Sequence, residues 1–463
     1  MSSDLHYLSL DEVARRLKAR KVSSVEATRA ILHRIETLDP KLKSYAMVTP
    51  ERALQDAARL DAETAAGKSR GRLHGVPIAV KDLCNTAGVP TAAGMAIHRK
   101  HVPAKDATVV ARLRQAGAVI LGKLQMTEGA YGAHHPTIEP PVNPWNAAYW
   151  TGVSSSGSGV ATASGLCFAS LGSDTGGSIR FPSTMNGLSG LKPTWGRVSR
   201  AGVFPLAESL DHVGPMCRSA LDAALILGVI AGADPDDPTA SGHRVPDYAA
   251  LIDSGVKGKR VGVPVNLLGM DADSQRAFDG AVATFKDAGA HLMDVILPEF
   301  DEATLKWIPL CGLEAALAHE ATFPSRRAEY GPDLAALIDL GRGLSALELG
   351  KLQLVRAQVK GEIDRLLAQV HLLLMPVMGV ATPSLAAMKA AGRTPQTTVA
   401  RLRYTAPFDM SGHPTLTLPG GVTSDGVPVG FQIVGRAFDE ECVLAAGHVY
   451  QRATDWHLKR PPL

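Results

Sequence analysis

Gly172-Ser173-Asp174-Thr175-Gly176-Gly177-Ser178-Ile179-Arg180 is the stretch on which the rest of the chain turns. Two glycines precede Ser178. Lacking Cβ, they let the backbone turn tightly and aim several N–H groups into one concavity. Upstream lies a second serine cluster, Gly152-Val153-Ser154-Ser155-Ser156-Gly157-Ser158. Further upstream a lysine ends an apolar run, Pro77-Ile78-Ala79-Val80-Lys81-Asp82. Cleavage of a stable acyl bond needs a nucleophile, a proton carrier and donors for the developing oxyanion. Serine, lysine and a Gly-rich loop supply all three without histidine or metal. A lysine base must be neutral, and burial at a strand end lowers its pKa because the charged form loses hydration. Taken singly, each piece has an ordinary reading: a Gly-rich turn with a solvated serine, or a lysine at a solvated strand end.

Taken together, the lysine motif, the serine cluster, the DTGGSIR loop and the following Gly190-Leu191-Lys192-Pro193-Thr194 resemble the amidase signature family. Order and spacing fit as well, and weaker similarity runs from about Leu10 to Arg436. The resemblance implies Ser178 as nucleophile, Ser154 as a proton relay following a cis peptide bond, and Lys81 as base. It assigns the oxyanion to the backbone amides of Thr175, Gly176, Gly177 and Ser178. Ser155, Asp174 and Arg180 fall at positions that support the loops and serines. One departure stands out. The family usually has Gly-Gly-Ser-Ser-Gly-Gly where this chain has Gly152-Val153-Ser154-Ser155-Ser156-Gly157. The relay serine is retained.

By that resemblance the activity is hydrolysis of amide bonds through an acyl-enzyme, with no cofactor and no metal, on a small-molecule amide. Amides, anilides, carbamates and esters all fit. The alternative is the glutaminase subunit of a tRNA-dependent amidotransferase. That protein holds glutamine's amino group with an acid near the late T-x-P segment. Here the segment reads Arg401-Leu402-Arg403-Tyr404-Thr405-Ala406-Pro407, with Leu402 at the acid's place. Arg356 matches a carboxylate-binding arginine of the glutaminase. A non-catalytic binding protein on the same fold is a third reading, disfavoured by retention of the three triad residues.

The 463 residues are 45% apolar and 20% charged, with a net charge of +3. Interspersed, nearly balanced charge gives no electrostatic case for nucleic acid or membrane partners. Five scattered cysteines without paired spacing favour reduced thiols and a cytoplasmic location. No signal-peptide pattern opens the chain, and no apolar run approaches the about 20 residues of a membrane helix. A homodimer stays open.

Helix and strand patterns alternate along the chain, which argues an α/β fold: a single large domain, 1–463, with a central mixed sheet covered by helices on both faces. Residues 1–65 read as helical cladding. Capping boxes are expected at Ser9-Leu10-Asp11-Glu12 and Ser23-Ser24-Val25-Glu26, and Thr49-Pro50 as the start of a third helix. Residues 70–215 form the catalytic core, and 300–400 a variable region around the substrate pocket. Strands are expected at 77–80, 118–121, 260–265, 291–297, 371–375 and 429–434. Helices are expected at 107–116, 219–230, 274–288, 346–368 and 440–452.

Competing motifs are weaker. Ser189-Gly190-Leu191-Lys192 satisfies S-x-x-K but lacks its partner motifs. His134 and His135 are adjacent and share no helix face, a poor start for a metal site. Cys84 follows Lys81 closely but nothing marks it as a nucleophile. The stiff, Pro-containing segment 134–142 is expected to wall the pocket, and Tyr131, Trp307, Tyr330 and Phe408 are candidate apolar walls.

Overall fold

Pro77-Ile78-Ala79-Val80-Lys81 is apolar until its last residue, and all five residues are buried in a strand. Because successive side chains alternate faces, burial of every residue means that both faces are covered. The computed structural model describes residues 5–392 and 394–463. Among them the strands in chain order are β1 (Tyr45–Val48), β2 (Pro77–Lys81), β3 (Val119–Leu124), β4 (Ala169–Asp174), β5 (Ser189–Lys192), β6 (His212–Cys217), β7 (Arg260–Pro264), β8 (His291–Val295), β9 (Leu372–Pro376), β10 (Thr415–Val422) and β11 (Pro428–Gly435). All belong to one sheet, in the order β1-β3-β2-β4-β6-β5-β10-β11-β9-β7-β8. β2 runs parallel to β3 and β4, and β7 parallel to β8 and β9. The other neighbours are antiparallel. The sheet is therefore mixed, and helices flank it.

Local signals explain most of the elements and some of the differences. Ser23 and Glu26 close the expected capping box at the start of helix Ser24–Leu42. At Ser9 the box is one-sided. Its hydroxyl accepts from the Glu12 amide, but the Glu12 carboxylate turns to Arg15 and Arg16 at 2.7 and 2.8 Å. Thr49 does precede helix Pro50–Ala65, but its hydroxyl donates to the Leu121 carbonyl on β3 rather than capping the helix. Ala220–Ile230 is apolar on nearly every side and packs against β5 and β6. No helix among the described residues is long and apolar enough to cross a membrane. All five cysteines are buried and unpaired.

β1, β4, β5, β6 and β10 went unread in the sequence. β6 is His-Val-Gly-Pro-Met-Cys, and Gly with Pro would ordinarily argue against a central strand. It lies between β4 and β5 all the same, with Pro215 opposite Leu171. Crowding explains the glycine. A Cβ on Gly214 would sit 2.0 Å from the Leu191 carbonyl oxygen. Gly214→Ala is therefore expected to destabilise the fold by roughly 3 kcal/mol or more, since neighbouring backbone must shift. Urea unfolding checks it; an unchanged midpoint would mean that β5 and β6 can separate at little cost.

Candidate active site

Lys81 ends β2, and Ser173 and Asp174 end β4. The two strands are parallel, so these side chains gather at the carboxyl ends of neighbouring strands, where open α/β sheets place ligands. Lys81 Nζ lies 2.7 Å from Ser154 Oγ and 2.9 Å from Ser173 Oγ. All three side chains are buried. Among the described residues no carboxylate pairs with the amine. Burial pushes Lys81 down to about 7, against weaker upward pulls from Cys84, Asp174 and Asp211. Half of such a group is neutral near neutral pH, so it can take up a proton. Ser173 was not singled out from sequence, because nothing in its spacing says that its hydroxyl shares the lysine with Ser154.

The Val153–Ser154 peptide is cis, at the bond expected from the family pattern. Ser155 follows and ties the two serine segments together. Its amide donates to the Ser178 carbonyl at 3.3 Å, and its hydroxyl donates to the Ser173 carbonyl at 3.2 Å. Ser178 is partly exposed and opens on a cavity of about 1130 Å³, together with Thr175 and Gly176.

The turn between β4 and helix Arg180–Asn186 is fixed peptide by peptide. In a trans peptide the C=O and N–H point in opposite directions. Asp174 O meets His212 Nδ1 at 3.2 Å, Thr175 O accepts from Trp307 Nε1 at 2.7 Å, and Gly177 O accepts from the Phe181 amide at 2.7 Å. These anchors turn the N–H groups of Thr175, Gly176 and Ser178 the other way, and no described residue takes them. Gly177 is the exception among the four expected oxyanion donors. Its N–H donates to Asp174 Oδ1 at 2.6 Å, because Gly176 O is held on the other side by Thr405 Oγ1 at 2.7 Å. The glycines are required by space. A Cβ on Gly176 would lie 2.5 Å from the Trp307 ring, and one on Gly177 2.4 Å from the Phe181 ring.

Asp174 accepts three backbone N–H groups, from Gly177, Ile179 and Arg180, and two from the Arg180 guanidinium. Burial opposes its ionisation, but the Arg180 charge, the hydrogen bonds from Arg180 and Asp409 and the Lys192 charge together outweigh burial and hold the carboxyl well below the usual carboxylate range. Arg180 continues to the Thr405 carbonyl and to Asp409. Thr175 Oγ1 donates to Asp211, whose carboxyl burial pushes up to about 6.

Other expectations resolve by position. Segment 134–142 walls the cavity along most of its length, and Tyr131 and Trp307 line it. Tyr330 and Phe408 do not: the Tyr330 hydroxyl bonds Thr322, and Phe408 packs edge-on to Phe300 in the core. Ser189 and Lys192 of the S-x-x-K match point away from one another on β5. Ser189 accepts from Gln451, and Lys192 donates to the His413 carbonyl. Burial pushes the Cys84 thiol up to about 11, which leaves it protonated. Arg356 is also placed differently from its expected use. Its guanidinium donates to Met410 O, Ser209 O and Ser209 Oγ, away from the cavity.

This arrangement belongs to an amide-hydrolysing enzyme. A family model described as Amidase matches residues 26–444, and the chain belongs to the amidase signature family, whose members hydrolyse amides. "Putative amidase AmiD" of Mycobacterium tuberculosis is 50% identical over 457 residues, which span 98% of this chain and 96% of that one. A glutamyl-tRNA(Gln) amidotransferase component from a Geobacter species is 39% identical over 486 residues, spanning 98% of this chain and 99% of that protein. The solved peptide amidase of Stenotrophomonas maltophilia superposes with a TM-score of 0.84 at 31% identity, over 98% of both chains.

The lowered pKa of Lys81 carries a stability signature. Its folded value of about 7 lies below the ~10.4 of a free lysine. Between those values the unfolded chain binds a proton that the folded chain does not, so this group makes wild-type stability rise with pH. Lys81→Met removes the dependence. The variant's stability relative to wild type should be greatest near pH 7 and fall by roughly 3 kcal/mol toward pH 10. A difference that stays constant with pH, measured by urea unfolding, would mean that the folded protein holds this lysine charged.

Proposed function

We propose that the protein hydrolyses bulky, largely apolar amides through an acyl-enzyme on Ser178. The observation that carries the reading is a buried, carboxylate-free lysine 2.7 Å from the Ser154 hydroxyl, beside a serine open to a large cavity. Ser178 Oγ attacks the carbonyl carbon. Its proton passes to Ser154 Oγ while Ser154 gives its own to Lys81 Nζ. The amides of Thr175, Gly176 and Ser178 receive the oxyanion. As the C–N bond breaks, the proton returns through Ser154 to the leaving nitrogen. Water then enters by the same relay and releases the acid. Asp174 and Arg180 hold the turn, and Ser155 and Ser173 hold the serines and the lysine.

The cavity favours substrates larger than a simple primary amide. Trp150, Phe181, Leu206, Trp307 and Ile308 give it apolar walls. Segment 300–400 contributes Leu305, Trp307, Ile308, Leu385 and Met388, which supports its reading as the specificity region. Anilides and peptide-like amides fit this lining, and carbamates and esters fit the chemistry. A glutaminase role has less support. Leu402 lines the cavity where an acid would be needed, and Arg356 is bound to backbone elsewhere. Buried thiols suit a reducing compartment, so the cytoplasm is the location we assign.

Ser178→Ala should abolish turnover, and a fluorophosphonate should label wild type at Ser178. Labelling at another serine would overturn the assignment. For the relay, the neutral fraction of Lys81 grows as pH rises through about 7, so kcat/KM should climb across that range and level off above it. Lys81→Ala should cost about 10²- to 10⁴-fold on an amide and much less on a matched activated ester, whose leaving group needs no returned proton. Ser154→Ala should show the same bias, more weakly. Equal losses on both substrates with an unchanged pH profile would leave Lys81 as a structural residue.

A further inference from the structure

His134 lines the cavity, and its Nε2 lies 3.0 Å from Ser156 Oγ. Ser156 is fully buried and opens helix Ser156–Ala163, directly after Ser154 and Ser155. The histidine is therefore tied to the residue that follows the serine pair in the chain. Other interior polar groups of the lining are already occupied. The Asn143 amide group donates to Trp150 O and Met185 O, and its oxygen accepts from Trp145. Thr175 Oγ1 is given to Asp211, and His135 Nδ1 meets Thr137. His134 has one ring nitrogen still to use.

The hydrogen-bond network assigns which nitrogen carries the proton. A buried hydroxyl hydrogen needs an acceptor. Among the described residues the partner of Ser156 Oγ is His134 Nε2. The hydroxyl therefore donates and Nε2 accepts. A neutral imidazole that accepts at Nε2 carries its hydrogen at Nδ1. Burial pushes the His134 pKa down to about 4, so the ring is uncharged in the working pH range. Nδ1 has no hydrogen-bond partner among the described residues and is not one of the enclosed polar atoms, so it is an accessible nitrogen on a residue that lines the cavity. The cavity that Ser178 opens on thus offers a neutral N–H donor, held in one tautomer by Ser156.

We propose that His134 is a substrate-recognition residue, whose Nδ1–H donates to a carbonyl-type oxygen in the acyl half of the substrate, with Ser156 fixing the tautomer. The substrate class is an acyl group that is apolar overall but carries one acceptor oxygen, as an acylated amino-acid amide does. The inference rests on the reading of Ser178 as nucleophile. It adds directionality to the largely apolar part of the pocket around Trp150, Phe181 and Trp307.

The test uses p-nitrophenyl esters of phenyl-substituted alkanoic acids. In each pair a ketone replaces one chain methylene, two or three carbons beyond the ester carbonyl, and the hydrocarbon parent is the control. Intrinsic reactivity cancels when each variant is compared with wild type. His134→Ala should lower kcat/KM for the better keto ester about tenfold more than for its parent. His134→Asn keeps an amide N–H near the position of Nδ1 and should retain the preference. His134→Gln places its amide nearer Nε2 and should lose it. Ser156→Ala frees the tautomer and should give an intermediate loss. The preference should not change between pH 6 and pH 9, because the ring is neutral throughout. Equal losses on both esters at both ketone positions, with Asn no better than Gln, would overturn the recognition role while leaving the hydrolase reading intact. Failure of every ester to acylate Ser178, read by mass spectrometry, would overturn both.

Discussion

The bond pattern between Asp174 and Arg180 is the constraint on which the site depends. Five N–H groups converge on one buried carboxylate, three from the turn itself and two from the guanidinium. Removing two charges from water is costly, and their attraction offsets that cost only when nearly every lone pair and hydrogen is used. Here the carboxylate uses its capacity to fold the turn around itself. The guanidinium spends its remaining donors on Thr405 O and Asp409, far along the chain. One ion pair thus sets the turn, the start of the following helix and the position of a distant segment. Loss of Arg180 would leave the Asp174 charge buried without its cation, a change that typically costs about 3–5 kcal/mol.

Burial acts on two groups of this core with opposite results. Lys81 and Asp174 are both enclosed, and desolvation opposes charge on each. Asp174 has a guanidinium in bidentate reach and stays ionised. Lys81 has hydroxyls for partners, and dipoles do not replace the lost hydration of an ammonium. The difference is made by what lies within about 3 Å of each group rather than by depth. In the proposed chemistry, one group must never change charge and the other must do so in every turnover.

Much of this was legible in the sequence. The strand that ends at Lys81 and the α/β alternation follow from apolar runs and caps, and the family resemblance brought Lys81, Ser154 and Ser178 to attention together. What escaped had physical reasons. β4 is built from small and polar residues, and β6 contains Gly214 and Pro215, so neither carries a strand signal of its own; their neighbours impose the conformation. Ser173 lies inside the quoted motif, but its contact with Lys81 depends on the register of two strands. Gly177 shows the opposite case. As a glycine in the loop it was grouped with its neighbours as an oxyanion donor, and only the peptide orientations reveal that its hydrogen is given to Asp174. Arg356 was matched by position along the chain, while its direction is set by the carbonyls of Ser209 and Met410.

Trp307 occupies two roles at once. Its ring forms part of the cavity wall, and its indole nitrogen holds the Thr175 carbonyl and with it the orientation of the Gly176 amide. Fit and rate are therefore wired through one side chain. A smaller residue here would widen the cavity and at the same time release the Thr175–Gly176 peptide, which in the proposed chemistry faces the reacting carbonyl. In the proposed chemistry, broadened substrate range by this route comes with slower turnover, so diversification of the pocket has an easier course through Leu305, Ile308 and Met388, apolar side chains that line the same space and can hold no carbonyl of the turn.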